Sequence, residues 1–115
     1  MSKRLSGLLP QVSFSILFAL SLRPRHGYEL MKQVEEDSQD RIKLGPGALY
    51  GTIKQLHEEG LIEEMESEIK NERRRYYRLT KKGWQRLGAE VKYFENTVRL
   101  AQSRRPMSQN LGATI

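Results

Sequence analysis

The segment from Gly45 to Thr80 constrains the fold most, because it places a short capped helix directly before an acidic strand and an arginine-rich return strand. Gly45-Pro46 opens the helix, since proline at the first helical position needs no amide partner and brings a preset φ. Gly60 closes it. Leu49, Ile53 and Leu56 recur at helical spacing and predict one core-facing stripe. The opposite face carries Ala48, Gly51, Thr52, Lys54 and Gln55, a mix of small, hydroxyl, amide and cationic side chains suited to base edges and phosphates in a major groove. Taken alone, it would be an ordinary amphipathic surface helix.

The residues on its C-terminal side give the helix a more specific meaning. Leu61 to Glu66 leads out as an acidic, partly alternating strand, Lys70-Asn71-Glu72 makes a turn, and Arg73-Arg74-Arg75-Tyr76-Tyr77-Arg78-Leu79 returns as a basic, aromatic strand. Residues 61 to 72 hold five acids against one lysine, a net of −4, whereas residues 73 to 86 hold seven cations and no acid, a net of +7. Helix, strand, turn and strand are the recognition helix and wing of a winged helix-turn-helix. Cross-strand ion pairs account for part of the polarity, at no more than about 1 kcal/mol each.

With 115 residues the chain is large enough for one small domain and a modest core. The net charge of +6 favours a polyanionic partner. The absence of cysteine excludes disulfides and thiolate metal sites and fits a reducing cytoplasm. The apolar run from Val12 to Leu22 is eleven residues long, too short to cross a bilayer, and no small-residue cleavage pattern comes after it. A soluble cytoplasmic protein with no membrane partner is expected. Nothing supports an enzyme, a cofactor or a metal site: His26 and His57 have no nucleophile or carboxylate at suitable spacing, and the acids from Glu63 to Glu68 read as a solvated strand.

Residues 1 to 9 read as a loose arm, with Lys3 and Arg4 available to phosphates or simply frayed. Pro10 opens a first helix in which Val12, Ile16, Leu17, Ala19 and Leu20 are buried. Arg23 to Gly27 connects it to a second helix, from Tyr28 to about Glu36, and a polar loop continues to Asp40. Ile42-Lys43-Leu44 could add a third strand to the wing sheet. Thr80 then caps a long helix running to about Ser103. Along it Trp84, Leu87, Val91, Phe94, Val98 and Ala101 repeat at three- and four-residue spacing, the apolar seam of a coiled coil, and predict a dimer interface. Gly83 and Gly88 lower its helix propensity by about 1 kcal/mol each relative to alanine, which makes the helix dependent on a partner. The fold expected is α+β and mostly α, with a winged helix-turn-helix of three helices and a small β wing over residues 1–79. The dimerisation helix covers 80–103 and a mobile tail 104–115.

Three stretches carry a resemblance to a known family: His26-Gly27-Tyr28-Glu29-Leu30; Gly47-Ala48-Leu49-Tyr50 with Leu56 and Gly60-Leu61-Ile62; and Arg75-Tyr76-Tyr77-Arg78-Leu79-Thr80 with Gly83. In this order and spacing the chain resembles the PadR family of bacterial winged-helix transcriptional regulators over roughly residues 10–100, in its short branch with a single C-terminal helix. The resemblance implies a homodimer joined through C-terminal helices, a recognition helix from Pro46 to Glu59, double-stranded operator DNA as partner and repression of a nearby promoter. It places Tyr28, Ala48 and Tyr50 on the DNA side, Thr52, Lys54 and Gln55 along the groove, and Arg73, Arg74 and Arg75 at a flanking minor groove or phosphates. Gly51 departs from the family, where a bulkier residue or a proline is common. Some relatives bind flat aromatic compounds in the dimer cleft; Trp84 and Phe94 could line such a space or be seam core. The reading that competes with a DNA-binding repressor is a winged-helix interaction module without specific DNA binding, for which a neutral or acidic wing would be expected.

Overall fold

Residues 7–66 and 74–104 are described by the computed structural model. They form α1 (Gln11–Leu20), β1 (Arg25–His26), α2 (Gly27–Asp37), α3 (Pro46–Glu58), β2 (Ile62–Met65), β3 (Tyr76–Leu79) and α4 (Lys81–Ser103). The N-terminal arm through Ser6, the turn expected at Lys70-Asn71-Glu72, Arg73, and the tail beyond Arg104 lie outside the described residues.

The helix ends arise from local chemistry. Pro46 occupies the first turn of α3. At its other end Gly60 takes φ +74°, while Leu61 N–H donates to Leu56 O and Gly60 N–H to His57 O, both at 3.0 Å. This paired arrangement needs a left-handed residue at that point, which glycine supplies without a Cβ penalty. Thr80 caps α4 by accepting the Gly83 N–H at 3.0 Å. α2 starts at Gly27, one residue before the expected Tyr28, because His26 and Glu29 form a reciprocal capping box around that point.

The sheet is antiparallel with order β1-β3-β2. Its third strand is therefore Arg25–His26 and not the expected Ile42-Lys43-Leu44. β3 has two edges: β2 takes one, and the residues entering α2 take the other, pairing Arg25 with Tyr77 and His26 with Tyr76. Ile42 and Leu44 are half-buried and pack against the core from a loop. In place of a ladder, the Ile42 N–H donates to Ser38 Oγ at 2.9 Å.

One core joins all layers. Ile16 and Leu17 from α1, Leu30 and Val34 from α2, Leu49 and Leu56 from α3 and Ile62 from β2 are almost fully buried. Each stabilises the fold by about 1.5–3 kcal/mol relative to exposure, as an upper bound. Val12, expected in that core, is half-buried and packs at its edge. Among the described residues no helix is long and apolar enough to cross a membrane.

Candidate nucleic-acid interface

Burial of Leu49, Ile53 and Leu56 fixes the rotation of α3 about its axis. Ala48, Tyr50, Gly51 and Lys54 consequently lie exposed, with Thr52 and Gln55 half-exposed beside them. The Thr52 hydroxyl donates to Ala48 O at 2.8 Å, one turn back. With its proton engaged there, the hydroxyl keeps its lone pairs as acceptors. At Gly51 an added Cβ would meet no atom within 4 Å, so the glycine is not required by packing within the protomer.

The two strands of the wing are stitched by charge across the register. Glu63 stands opposite Arg78, and their side chains meet at 2.8 Å; Arg75 reaches Glu64 at 3.5 Å. Both pairs are largely solvent-exposed and contribute little to stability. Arg74 lies against the ring of His26, Nη1 to Nε2 at 3.0 Å, and that ring also meets Tyr76 edge to face at 5.3 Å between centroids. Arg73, expected with them, is outside the described residues.

His26 joins the wing to α2. Its Nδ1 accepts the Glu29 N–H at 3.4 Å, and Glu29 Oε1 accepts the His26 N–H at 3.3 Å. A neutral imidazole has one acceptor nitrogen, so at any moment it serves either the helix cap or Arg74. Burial opposes ionisation of Glu29, but the His26 N–H, the Arg23 guanidinium at 3.0 Å and the charges of His26 and Arg23 outweigh it and hold its pKa below the ordinary value. Nearby, burial first and then the Glu64 carboxylate and Tyr50 push the Tyr77 phenol above its ordinary range, against Arg75.

These parts converge. Tyr28 at the start of α2, Tyr50 on α3, Arg74 and Arg75 just before β3 at the turn end of the wing strands, and His26, Gly27 and Tyr77 together line one open cleft of about 290 Å³. Residues far apart in sequence thus share one surface.

α4 divides into two parts. Gly83, Leu87 and Glu90 are buried against the protomer's own body, and Val91 packs at the edge of the core. Leu87 is therefore part of the protomer core and not of an open seam, because α4 crosses α1 and the sheet at that point. Trp84, Phe94 and Val98 are exposed, and Ala101 is half-exposed. Phe94 stands edge-on to Phe14 of α1 at 5.1 Å, and Phe14 stacks on Phe18 at 5.6 Å. Phe94 also lines an apolar cavity of about 500 Å³ with Leu8, Leu9, Phe14, Phe18 and Ile42, whereas Trp84 does not line it.

The model of the transcriptional regulator PadR-like family matches residues 16–89, well over half of the chain. The chain belongs to the PadR-like family. It is thus a member of a family of transcription regulators and not of enzymes. The PadR-like chain is similar in structure to a PadR family transcription regulator from Clostridium difficile R20291, with 25% identity, a TM-score of 0.71, and coverage of 82% of this chain and 97% of that one. A PadR-like transcription factor from Bacteroides fragilis shares the fold at 22% identity and a TM-score of 0.67, covering 80% and 87% of the two chains. Bacillus subtilis PadR, solved in complex with operator DNA, shares it at 22% identity and a TM-score of 0.61; the match covers 70% of this chain and 46% of that longer one. No curated protein matches the PadR-like chain.

Sequence reasoning treated His26 and Gly27 as parts of a connector and a signature, with His26 set aside as a catalytic candidate, and missed that both line the cleft. It also missed the exposed Phe18 of α1 and Leu22 of the turn after it, since an apolar run does not by itself reveal which face is covered.

Proposed function

We propose that this PadR-like chain is a sequence-specific, homodimeric DNA-binding repressor, acting in the cytoplasm on an inverted-repeat operator. The observation that carries the reading is the open cleft that Tyr50, on the exposed face of α3, shares with Tyr28 and with Arg74 and Arg75 of the wing. Ala48, Thr52, Lys54 and Gln55 enter a major groove, Tyr50 faces the DNA backbone or a base, and Arg73, Arg74 and Arg75 track the flanking backbone. The operator complex of the structurally similar B. subtilis PadR agrees with this role. An interaction module without DNA binding is disfavoured by cations placed at the wing beside a recognition-type helix.

Dimerisation is supported by the apolar side chains that the protomer leaves uncovered. Phe94, Val98 and Leu100 on the second half of α4, with Phe18 on α1 and Leu22 in the turn after it, are 42% to 66% exposed. A second copy covers them, with Trp84, Val91 and Ala101 along the same helix and Leu87 beneath it. A flat aromatic effector entering between the two copies would meet Phe94 and Trp84 and release the operator.

Selection of bound duplexes from a random library, and then footprinting, tests the reading. An inverted repeat with half-site centres roughly 10 or 20 bp apart is expected, as two-fold symmetry requires. Protection of one asymmetric site, insensitive to half-site spacing, would refute it.

A further inference from the structure

Gly27 is a helical residue with no positive φ to require glycine, yet a Cβ built on it would collide with the Tyr50 hydroxyl and lie 2.9 Å from the ring carbon that bears it. The missing side chain is the space in which Tyr50 lies. Tyr50 leaves α3, crosses to the start of α2 and brings its hydroxyl into the cleft, although half of its surface stays open to solvent.

The hydroxyl and guanidinium groups that line the cleft suit an oxyanion. Tyr28, 59% exposed, presents a second phenol on the same cleft, and Arg74 and Arg75 supply two guanidiniums from the turn end of the wing. Two acids lie nearby: Glu29, already engaged by Arg23 and the His26 N–H, and Glu64, which holds Arg75 at 3.5 Å through an exposed pair that contributes little. Lys32 lies over the Tyr28 ring at 5.0 Å and adds positive charge on the outer side. Neutral hydroxyl donors beside guanidiniums are the donor set that fixes a phosphate in place, the guanidiniums supplying charge and the hydroxyls direction.

We infer that this cleft seats a single backbone phosphate of the DNA, with Tyr28, Tyr50, Arg74 and Arg75 as its donors and with Gly27 and His26 as positioning residues that touch no ligand atom. Gly27 makes room for Tyr50, and the His26 ring lies against Arg74, Nε2 to Nη1 at 3.0 Å, in the tautomer that accepts from it. The inference rests on the DNA-binding reading and adds to it a fixed anchor that sets the register of α3 in the groove. An inorganic phosphate offers the same oxygens without the duplex.

The test is a double-mutant cycle on binding to a random-sequence duplex, read by fluorescence anisotropy across a salt series. Tyr50→Phe should weaken binding about tenfold without changing the salt slope, because it removes a hydrogen bond and no charge. Arg74→Gln should also reduce the slope, by about 1. Gly27→Ala should weaken binding as Tyr50→Phe does, yet cost nothing further in a Tyr50→Ala background, where no ring remains to be displaced. Circular dichroism confirms that each variant folds. Equal binding by wild type and all variants, or a Gly27→Ala loss that persists without the Tyr50 ring, overturns the seat while leaving DNA binding intact. Failure of the wild-type protein to bind any duplex at low salt overturns the DNA-binding reading and the seat with it. In a parallel amide NMR titration, shifts at Gly27 and Tyr28 with the duplex support the seat. Shifts there with sodium phosphate and none with duplex overturn the assignment to the DNA backbone.

Discussion

The buried carboxylate of Glu90 on α4 accepts the backbone N–H of Leu9 at 3.0 Å, tying the chain that precedes α1 to the helix that ends the fold. Arg86, one turn earlier, completes the clip by meeting Glu90 at 3.5 Å and donating to Gly7 O at 2.6 Å. Glu90→Gln keeps an acceptor for the Leu9 N–H and should cost little. Glu90→Leu leaves that N–H buried and unpaired, and should lose about 1–3 kcal/mol in urea unfolding at fixed protein concentration. Equal stability of the two variants would count against the clip.

Gly83 and Gly88 sit on the same helix but should respond oppositely to alanine. A Cβ on Gly83 would fall on the carbonyl oxygen of Leu61, which itself accepts the Thr80 N–H at 3.1 Å, so Gly83→Ala must push α4 away and should cost about 1–3 kcal/mol or more. A Cβ on Gly88 meets nothing within 4 Å, and Gly88→Ala should gain up to about 1 kcal/mol in helix propensity. Thermal unfolding should show the midpoint falling for the first and rising for the second. A loss of dimer affinity in Gly88→Ala would instead place that surface in close contact with a second copy.

Glu29 gives the stability a defined acid dependence. Its carboxylate is favoured in the folded state by His26 and Arg23 despite burial, so its folded pKa lies below the reference value of 4.5. A depressed carboxylate pKa contributes stability that is fully present above the unfolded value and is lost as pH falls through the folded one. Glu29→Gln removes that contribution. The variant should be less stable than wild type at neutral pH, with the gap closing below about pH 4.5 in denaturation measured across pH.

Helix and wing should fail differently. Arg75→Gln removes a phosphate contact, so affinity should fall on every sequence alike and the salt slope should flatten by about 1. Gln55→Ala should alter which sequences bind, at about 1–3 kcal/mol for the cognate base. Identical losses on cognate and random DNA from both variants would show that α3 does not read bases.

The two halves of α4 should separate by their response to charge. Val98→Glu alters an exposed side chain and should yield folded monomers by light scattering and circular dichroism, with weakened operator binding. Leu87→Glu puts a charge into the protomer core and should lose the fold itself. A Val98→Glu variant that remains dimeric with full affinity would move the interface elsewhere.

The local elements were legible in the sequence because their determinants are local. Pro46, Gly60 and Thr80 mark helix ends through φ restriction, left-handed backbone and a hydroxyl acceptor, and each does so in the structure. The stripe of Leu49, Ile53 and Leu56 fixed which face of α3 turns outward, and the Glu63–Arg78 pair realises the charge contrast between the wing strands. Tertiary structure decided what depends on neighbours distant in sequence. It chose Arg25–His26 over Ile42-Lys43-Leu44 for the last strand, because only one segment could occupy the free edge of β3. It took Leu87 out of a seam of uniform apolar spacing, since periodicity reports which residues share a face and not what covers that face. And it turned Gly27 and Tyr50, 23 positions apart, into the space and the side chain that fills it, a relationship set by the packing of α2 against α3 that no linear pattern encodes.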